Sequence, residues 1–255
     1  MTAEHCAVIL WDFDGTLAHR RHGTWAECVL DLLDIHEPDH RLSFTTVFDA
    51  LATGFPWHTP DRPHPHLADP REWWASVTAV IEAALAAIGL HRDVAHRVAA
   101  EVRTAYTAPD AWSLYPAALD VLDTLHDAGW RHVLVSNHVP ELPTLVTTLG
   151  LRPRLEALIN SAETGYEKPH PAVWNTARRI TGNARLWMVG DNPAADVAGA
   201  RRANIDAIWT RRNAPGDLPD LPAAARVILE HPGSPKCSRP CLHEIPPTPV
   251  LASPS

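Results

Sequence analysis

The sequence predicts an α/β protein: a parallel β-sheet with helices on both faces, carrying a mostly α-helical insertion directly after its first strand. Three observations lead there. Ala7-Val8-Ile9-Leu10-Trp11 is a continuous apolar run, the pattern of a strand buried on both faces. From Pro116 onward, short apolar runs alternate with segments of helical period, as parallel strands joined by crossover helices do. Between these two regions lie about 100 residues of helical pattern, too many for a connection and therefore a separate cap.

In the insertion, residues 18–115, Trp25, Cys28, Val29, Leu32 and Leu33 fall on one helical face. Glu72 to Leu90 and Asp93 to Ala108 read as two further helices, the first ending near Gly89 and the second before Pro109. Gly54 to Pro70 holds five prolines and three histidines and is expected to be an exposed loop. In the second region Ala117 to Ala128 is a helix stopped by Gly129, His132 to Val135 a strand, and Glu141 to Leu149 a helix stopped by Gly150. Ala157 to Ile159 is a short strand, Pro171 to Thr181 a helix, and Leu186 to Val189 a strand. Pro193 to Ala203 follows as a helix, with Ala207 to Trp209 and Ala225 to Leu229 as the last strands. The core is thus residues 1–17 and 116–231. Residues 232–255, with seven prolines and little periodicity, are expected to lie outside the fold as a disordered tail.

Composition excludes several classes. Hydrophobic residues make up 45% of the 255 positions, enough for a sizeable core, and no apolar run is long enough to span a membrane. Met1 to His5 lacks the basic and apolar regions of a secretory signal, so a soluble cytoplasmic protein is expected. A formal charge of −8 disfavours nucleic acid and anionic membranes as partners. Four cysteines form no disulfide framework: Cys6 and Cys28 sit in apolar patterns. Cys237 and Cys241, near His231 and His243, are too loosely spaced to set a zinc site above an ordinary tail.

In an open parallel sheet, ligands bind beyond the carboxyl ends of the strands. Asp12, Ser136 and Asp191 each come at such an end. Asp12 and Asp14 bracket Phe13, so an extended exit from the strand points both carboxylates to one side. Gly15 permits a sharp turn that brings its N–H towards an anion. Alone, the pair reads as readily as a polar turn as it does as a magnesium site or an acid/base pair. Asp191 adds a third carboxylate of the kind Mg²⁺ prefers, and Ser136 ends Val133-Leu134-Val135 with a hydroxyl able to donate to a phosphoryl oxygen. Lys168 lies on a loop between Glu167 and Pro169, where it is either a solvated surface lysine or a charge-neutralising group.

Taken together and in order, these segments resemble the four motifs of the haloacid dehalogenase-like (HAD) hydrolase superfamily. Asp12-Phe13-Asp14-Gly15-Thr16 matches the first, Ser136-Asn137 the second, Lys168 the third, and Gly190-Asp191 with Asp196 the fourth. The resemblance implies a Rossmann-like core and an Mg²⁺-dependent phosphatase acting on a small phosphorylated metabolite. In it Asp12 is the nucleophile, Asp14 the acid and base, and Ser136, Asn137, Gly15, Thr16 and Lys168 bind the phosphoryl group. Mg²⁺ would be held by Asp12, the Asp14 carbonyl and Asp191, with Asp196 positioning Lys168 or metal-bound water. Dehalogenases of the superfamily typically lack the second aspartate, and transport ATPases carry threonine there and need membrane helices. A phosphomutase keeps both aspartates and remains open, as does a silent binding protein that docks through Pro246-Pro247-Thr248-Pro249. His138 is a candidate for leaving-group contact. Trp25, Trp73 and Trp74 read as cap core, His19 to His22 as a solvated basic linker, and His64 and His66 as parts of the exposed loop.

Overall fold

The computed structural model describes residues 7–210 and 220–231. Five strands, β1 (Ala7–Trp11), β4 (Trp130–Ser136), β5 (Ala157–Asn160), β6 (Arg185–Gly190) and β7 (Asp206–Trp209), form one all-parallel sheet in the order β5-β4-β1-β6-β7. The apolar run of β1 takes the centre because both its faces are covered. Ile9 and Trp11 pack on one side with α5 (Ala118–Asp127) and α10 (Leu221–Glu230), while Val8 and Leu10 pack on the other with α8 (Pro171–Thr181). Beneath the sheet's end, Trp11 Nε1 donates to His132 Nδ1 at 3.0 Å, and His132 Nε2 pairs with the Leu122 carbonyl at 3.0 Å. Burial holds that imidazole neutral, lowering its pKa to about 4.

The insertion leaves the core through a two-stranded antiparallel ribbon, β2 (Ala18–Arg20) against β3 (Trp112–Leu114), which was not apparent in the sequence because three residues are too few to show a period. Its helices are α1 (Trp25–His36), α2 (Phe44–Ala50), α3 (Pro70–Ala87) and α4 (Arg92–Thr107). A capping box starts α1, with the Thr24 amide donating to Glu27 at 2.6 Å. Their buried faces run continuously into the α5 and α10 side of the core.

Three expectations are corrected. Ala225 to Leu229 belongs to helix α10: Asp220 caps it, and Leu221, Ala224, Ala225 and Ile228 recur at helical spacing on its buried face. Pro193 to Ala203 is two pieces, a π-helical turn over Pro193–Ala198 followed by α9 (Gly199–Arg202), because the amide of Val197 reaches back five residues to the Asn192 carbonyl. Arg20 is buried rather than part of a solvated linker, donating to the His22 carbonyl at 3.1 Å and lying 3.6 Å from Asp31. Cys6, the tail, Cys237, Cys241 and the Pro246 to Pro249 segment lie outside the described residues; Cys28 is a buried free thiol.

Candidate active site

The strand ends converge on one cavity of about 410 Å³. Asp12, Asp14, Ser136, Asn137, Lys168, Asp191 and Asp196, seven of the nine residues singled out in the sequence, line it. Asp12 leaves β1 with its carboxylate buried, and its Oδ1 accepts from Ser136 Oγ at 2.9 Å and Lys168 Nζ at 2.7 Å. Lys168 is no surface lysine. Only 3% exposed, its ammonium also meets Asp196 Oδ1 at 2.6 Å and the Val135 carbonyl at 2.8 Å. Burial opposes its charge, but Asp12 and Asp196 more than offset that and hold its pKa above the ordinary lysine value.

Asp196 comes from the π turn, whose extra residue points its carboxylate back under Gly190. A Cβ at Gly190 would collide with it. Its Oδ2 accepts the Asn192 amide at 2.9 Å, which leaves the other oxygen, Oδ1, facing the Lys168 ammonium. Burial and then the Asp12 carboxylate raise Asp196, despite Lys168, to about 6. For Asp191, burial and then Asp12, Asp196 and Asp14 raise the carboxyl to about 7. The cluster therefore carries more negative charge than one ammonium neutralises. Asp12, Asp191 and Asp196 each offer an oxygen, all within 4.8 Å of one another, and this all-oxygen set fits a hard divalent cation such as Mg²⁺.

Gly15, Thr16 and Asn137, expected at the phosphate, are placed differently from Ser136 and Lys168. The N–H of Gly15 donates to the Ala18 carbonyl at 2.8 Å, closing the turn into β2, and neither Gly15 nor Thr16 lines the cavity. Gly15 is needed for its φ of +86° and because a Cβ would strike the Asp191 carboxylate. Asn137 does line the cavity, but its amide clasps the main chain of Lys168: Nδ2 donates to the Lys168 carbonyl at 3.0 Å and Oδ1 accepts the Lys168 amide at 2.6 Å. It fixes the lysine loop.

A model of the haloacid dehalogenase-like hydrolase family matches residues 6–204, and so takes in every one of these groups. The chain belongs to that family. Among curated relatives, phosphoserine phosphatase of Thermus thermophilus is 34% identical over 119 residues, 46% of this chain and 48% of that protein. The chain thus spans about half the length of that relative. Among solved structures, YfnB from Bacillus subtilis, bound to magnesium, superposes with a TM-score of 0.63 at 18% identity, covering 88% of this chain and 98% of that one. L-2-haloacid dehalogenase from Xanthobacter autotrophicus superposes with a TM-score of 0.58 at 21% identity over 82% of this chain and 79% of that one. At such identities the two structures establish the shared fold, which serves different chemistries.

The HAD core's cavity is roofed by the insertion. Thr24, Trp25, Trp57, Pro60 and Tyr106 line its upper side. Trp25, expected in the cap core, stacks on Tyr106 with ring centroids 4.0 Å apart and faces the cavity, whereas Trp73 and Trp74 are core as expected. Trp57 and Tyr106 were not singled out in the sequence; the only hint for Trp57 is an aromatic pair, Phe55 and Trp57, around a proline in a loop otherwise rich in polar residues. The proline-rich loop is docked. His64 is buried with its Nε2 3.1 Å from Glu167 Oε1, and its amide donates to the Gly165 carbonyl at 2.8 Å. His66 remains exposed. His138 lines the cavity as anticipated, with Phe13 and Trp112 each 5.1 Å from its ring, and burial keeps it neutral with a pKa near 4.

Proposed function

We propose that this HAD hydrolase is an Mg²⁺-dependent phosphatase of small phosphate monoesters. The observation that carries the reading is the pairing of Asp12, its Oδ1 held by Lys168 and Ser136, with Asp14 two residues on at the same cavity. With Oδ1 so engaged, Asp12 Oδ2 attacks phosphorus as the ester P–O bond breaks, giving an aspartyl-phosphate. Asp14 delivers a proton to the departing alkoxide. It then takes a proton from the water that attacks the phosphorus, releasing phosphate and restoring Asp12. Lys168 and Ser136 are placed to turn from Asp12 towards the phosphoryl oxygens as charge builds on them. Asp12 and Asp191, with the Asp14 main chain, would hold Mg²⁺, whose charge offsets repulsion between the nucleophile and the dianionic ester. Asp196 is committed to Lys168 and the Asn192 amide, which makes it a positioning residue.

A second carboxylate beside the nucleophile favours this over attack on carbon, where no leaving alkoxide needs a proton. The small volume of the roofed cavity, about 410 Å³, favours a compact substrate over a protein. The test is phosphate release from a panel of phosphorylated sugars, nucleotides and short organic acids, with Mg²⁺ and with excess chelator. Release that requires the metal is expected; release unaffected by chelator, or dehalogenation of a 2-haloacid in its place, contradicts the proposal.

A further inference from the structure

The floor and roof of the cavity differ in chemistry. All its charged lining residues, Asp12, Asp14, Lys168, Asp191 and Asp196, come from the core. The insertion contributes Thr24, Trp25, Trp57, Pro60 and Tyr106, and none of them is charged. Three of these are aromatic, and Trp25 contacts both of the others. Trp25 lies flat on Tyr106, with an interplanar angle of 17°, and Trp57 stands 5.5 Å from Trp25, backed by Phe55 at 4.6 Å. The platform is built into the fold: Tyr106 is 3% exposed, and the loop bearing Trp57 is docked on the core by the His64 amide, which donates to the Gly165 carbonyl at 2.8 Å. On the core side His138 adds a buried polar ring edge. Its nitrogens form no well-aligned hydrogen bond, the Val139 backbone being only a weak neighbour.

An ester whose alcohol bore a carboxylate would bring that charge against aromatic faces, with no cap cation among the described residues lining the cavity to receive it, next to a floor already rich in carboxylates. A flat apolar ring would instead find stacking surface and lose little freedom. Resting on the phosphatase reading above, we propose that the cap selects phosphate esters whose alcohol carries an uncharged aromatic ring, bound against Trp57 and Trp25 with its edge towards His138. The substrate of the Thermus relative, named for phosphoserine, is on this reading a poor one here.

Benzyl phosphate, ethyl phosphate and O-phosphoserine test this: all three are primary alkyl esters, and O-phosphoserine has the least basic leaving group, so a low rate for it reflects the cap and not its intrinsic reactivity. With Mg²⁺, kcat/KM for benzyl phosphate is expected to exceed that for ethyl phosphate by about tenfold, the scale of one good aromatic contact, with O-phosphoserine lowest. Trp57→Ala should collapse the benzyl-to-ethyl ratio and Trp57→Phe should keep most of it. Calorimetric titration of the three esters into Asp12→Asn, with Mg²⁺, separates this proposal from the one beneath it. Preferential binding of benzyl phosphate with no turnover by the wild type would support the aromatic site while removing the phosphatase reading. Turnover or binding of O-phosphoserine equal to that of benzyl phosphate, or a ratio unmoved in a folded Trp57→Ala protein, overturns the aromatic assignment and leaves the phosphatase reading standing.

Discussion

The floor and the roof of this cavity are built on opposite principles. On the floor, Lys168 touches Asp12, Asp196 and the Val135 carbonyl at once, Asn137 clasps its main chain, and Ser136 shares the same Asp12 oxygen. The roof is neutral and aromatic, and no ion pair among the described residues joins its cavity-lining side chains. A network of buried charges fails when one member is removed, because the others are left uncompensated. An aromatic surface loses contact area by degrees. The difference teaches that, on the function proposed above, the chemistry is set by the floor, while the choice of substrate can drift with the roof.

Substitutions on the floor should break this contrast most severely. Lys168→Met leaves Asp12 and Asp196 without their cation. We expect kcat to fall by roughly 10²–10³-fold, from lost stabilisation of the phosphoryl oxygens, and urea denaturation to register a loss of about 3–5 kcal/mol. Asp191→Asn should abolish the Mg²⁺-induced rise in melting temperature, which for the wild type at 100-fold excess over Kd corresponds to about 2.7 kcal/mol. The metal-free variant should melt no lower than the metal-free wild type, since one of the crowded carboxylates has gone; a lower melting point would argue against the repulsion inferred here.

Just behind the floor, His132 gives a pH dependence of definite sign. Its folded pKa of about 4 lies below the ordinary histidine value, so its contribution is present above about pH 6.5 and is lost as pH falls towards 4. The loss is on the order of 3 kcal/mol. Asp191 and Asp196, raised to about 7 and about 6, act in the opposite sense: their cost grows as pH rises from the ordinary carboxylate range towards those values and is constant above them. Comparison with His132→Gln by chemical denaturation isolates the histidine, and the variant should lose less stability between pH 6.5 and 4. The smallest effect is expected for Asn137→Ala, which removes two hydrogen bonds to the lysine loop. A loss of about 1–2 kcal/mol and about tenfold in kcat should follow. A larger loss in KM than in kcat would return Asn137 to the role of substrate ligand.

The same division governs what could be read from the sequence. β1 was legible because an apolar run ending in Asp12 has few other meanings, and the strand ends then located Ser136 and Asp191. What those groups bond to was less legible. The occupied N–H of Gly15 depends on a turn into β2, a strand too short to show a period, and the clasp of Asn137 on Lys168, 31 residues away, which nothing local announces. Helix α10 was misread because Val227, Ile228 and Leu229 look like a short strand once the helical spacing beginning at Leu221 is overlooked. The roof was hardest. Trp57 and His64 sit in a proline-rich loop whose composition suggests solvent, and only its docking onto Gly165 and Glu167 buries His64 there and brings Trp57 over the site.

The central claim is that Asp12 attacks the phosphorus. Phosphate release at saturating Mg²⁺, measured side by side for the wild type and Asp12→Asn with both proteins shown to be folded, tests it most directly. The account predicts a loss of roughly 10⁴-fold or more, the scale on which removal of a covalent nucleophile is felt. Asp12→Asn protein that kept a tenth of wild-type turnover would contradict it.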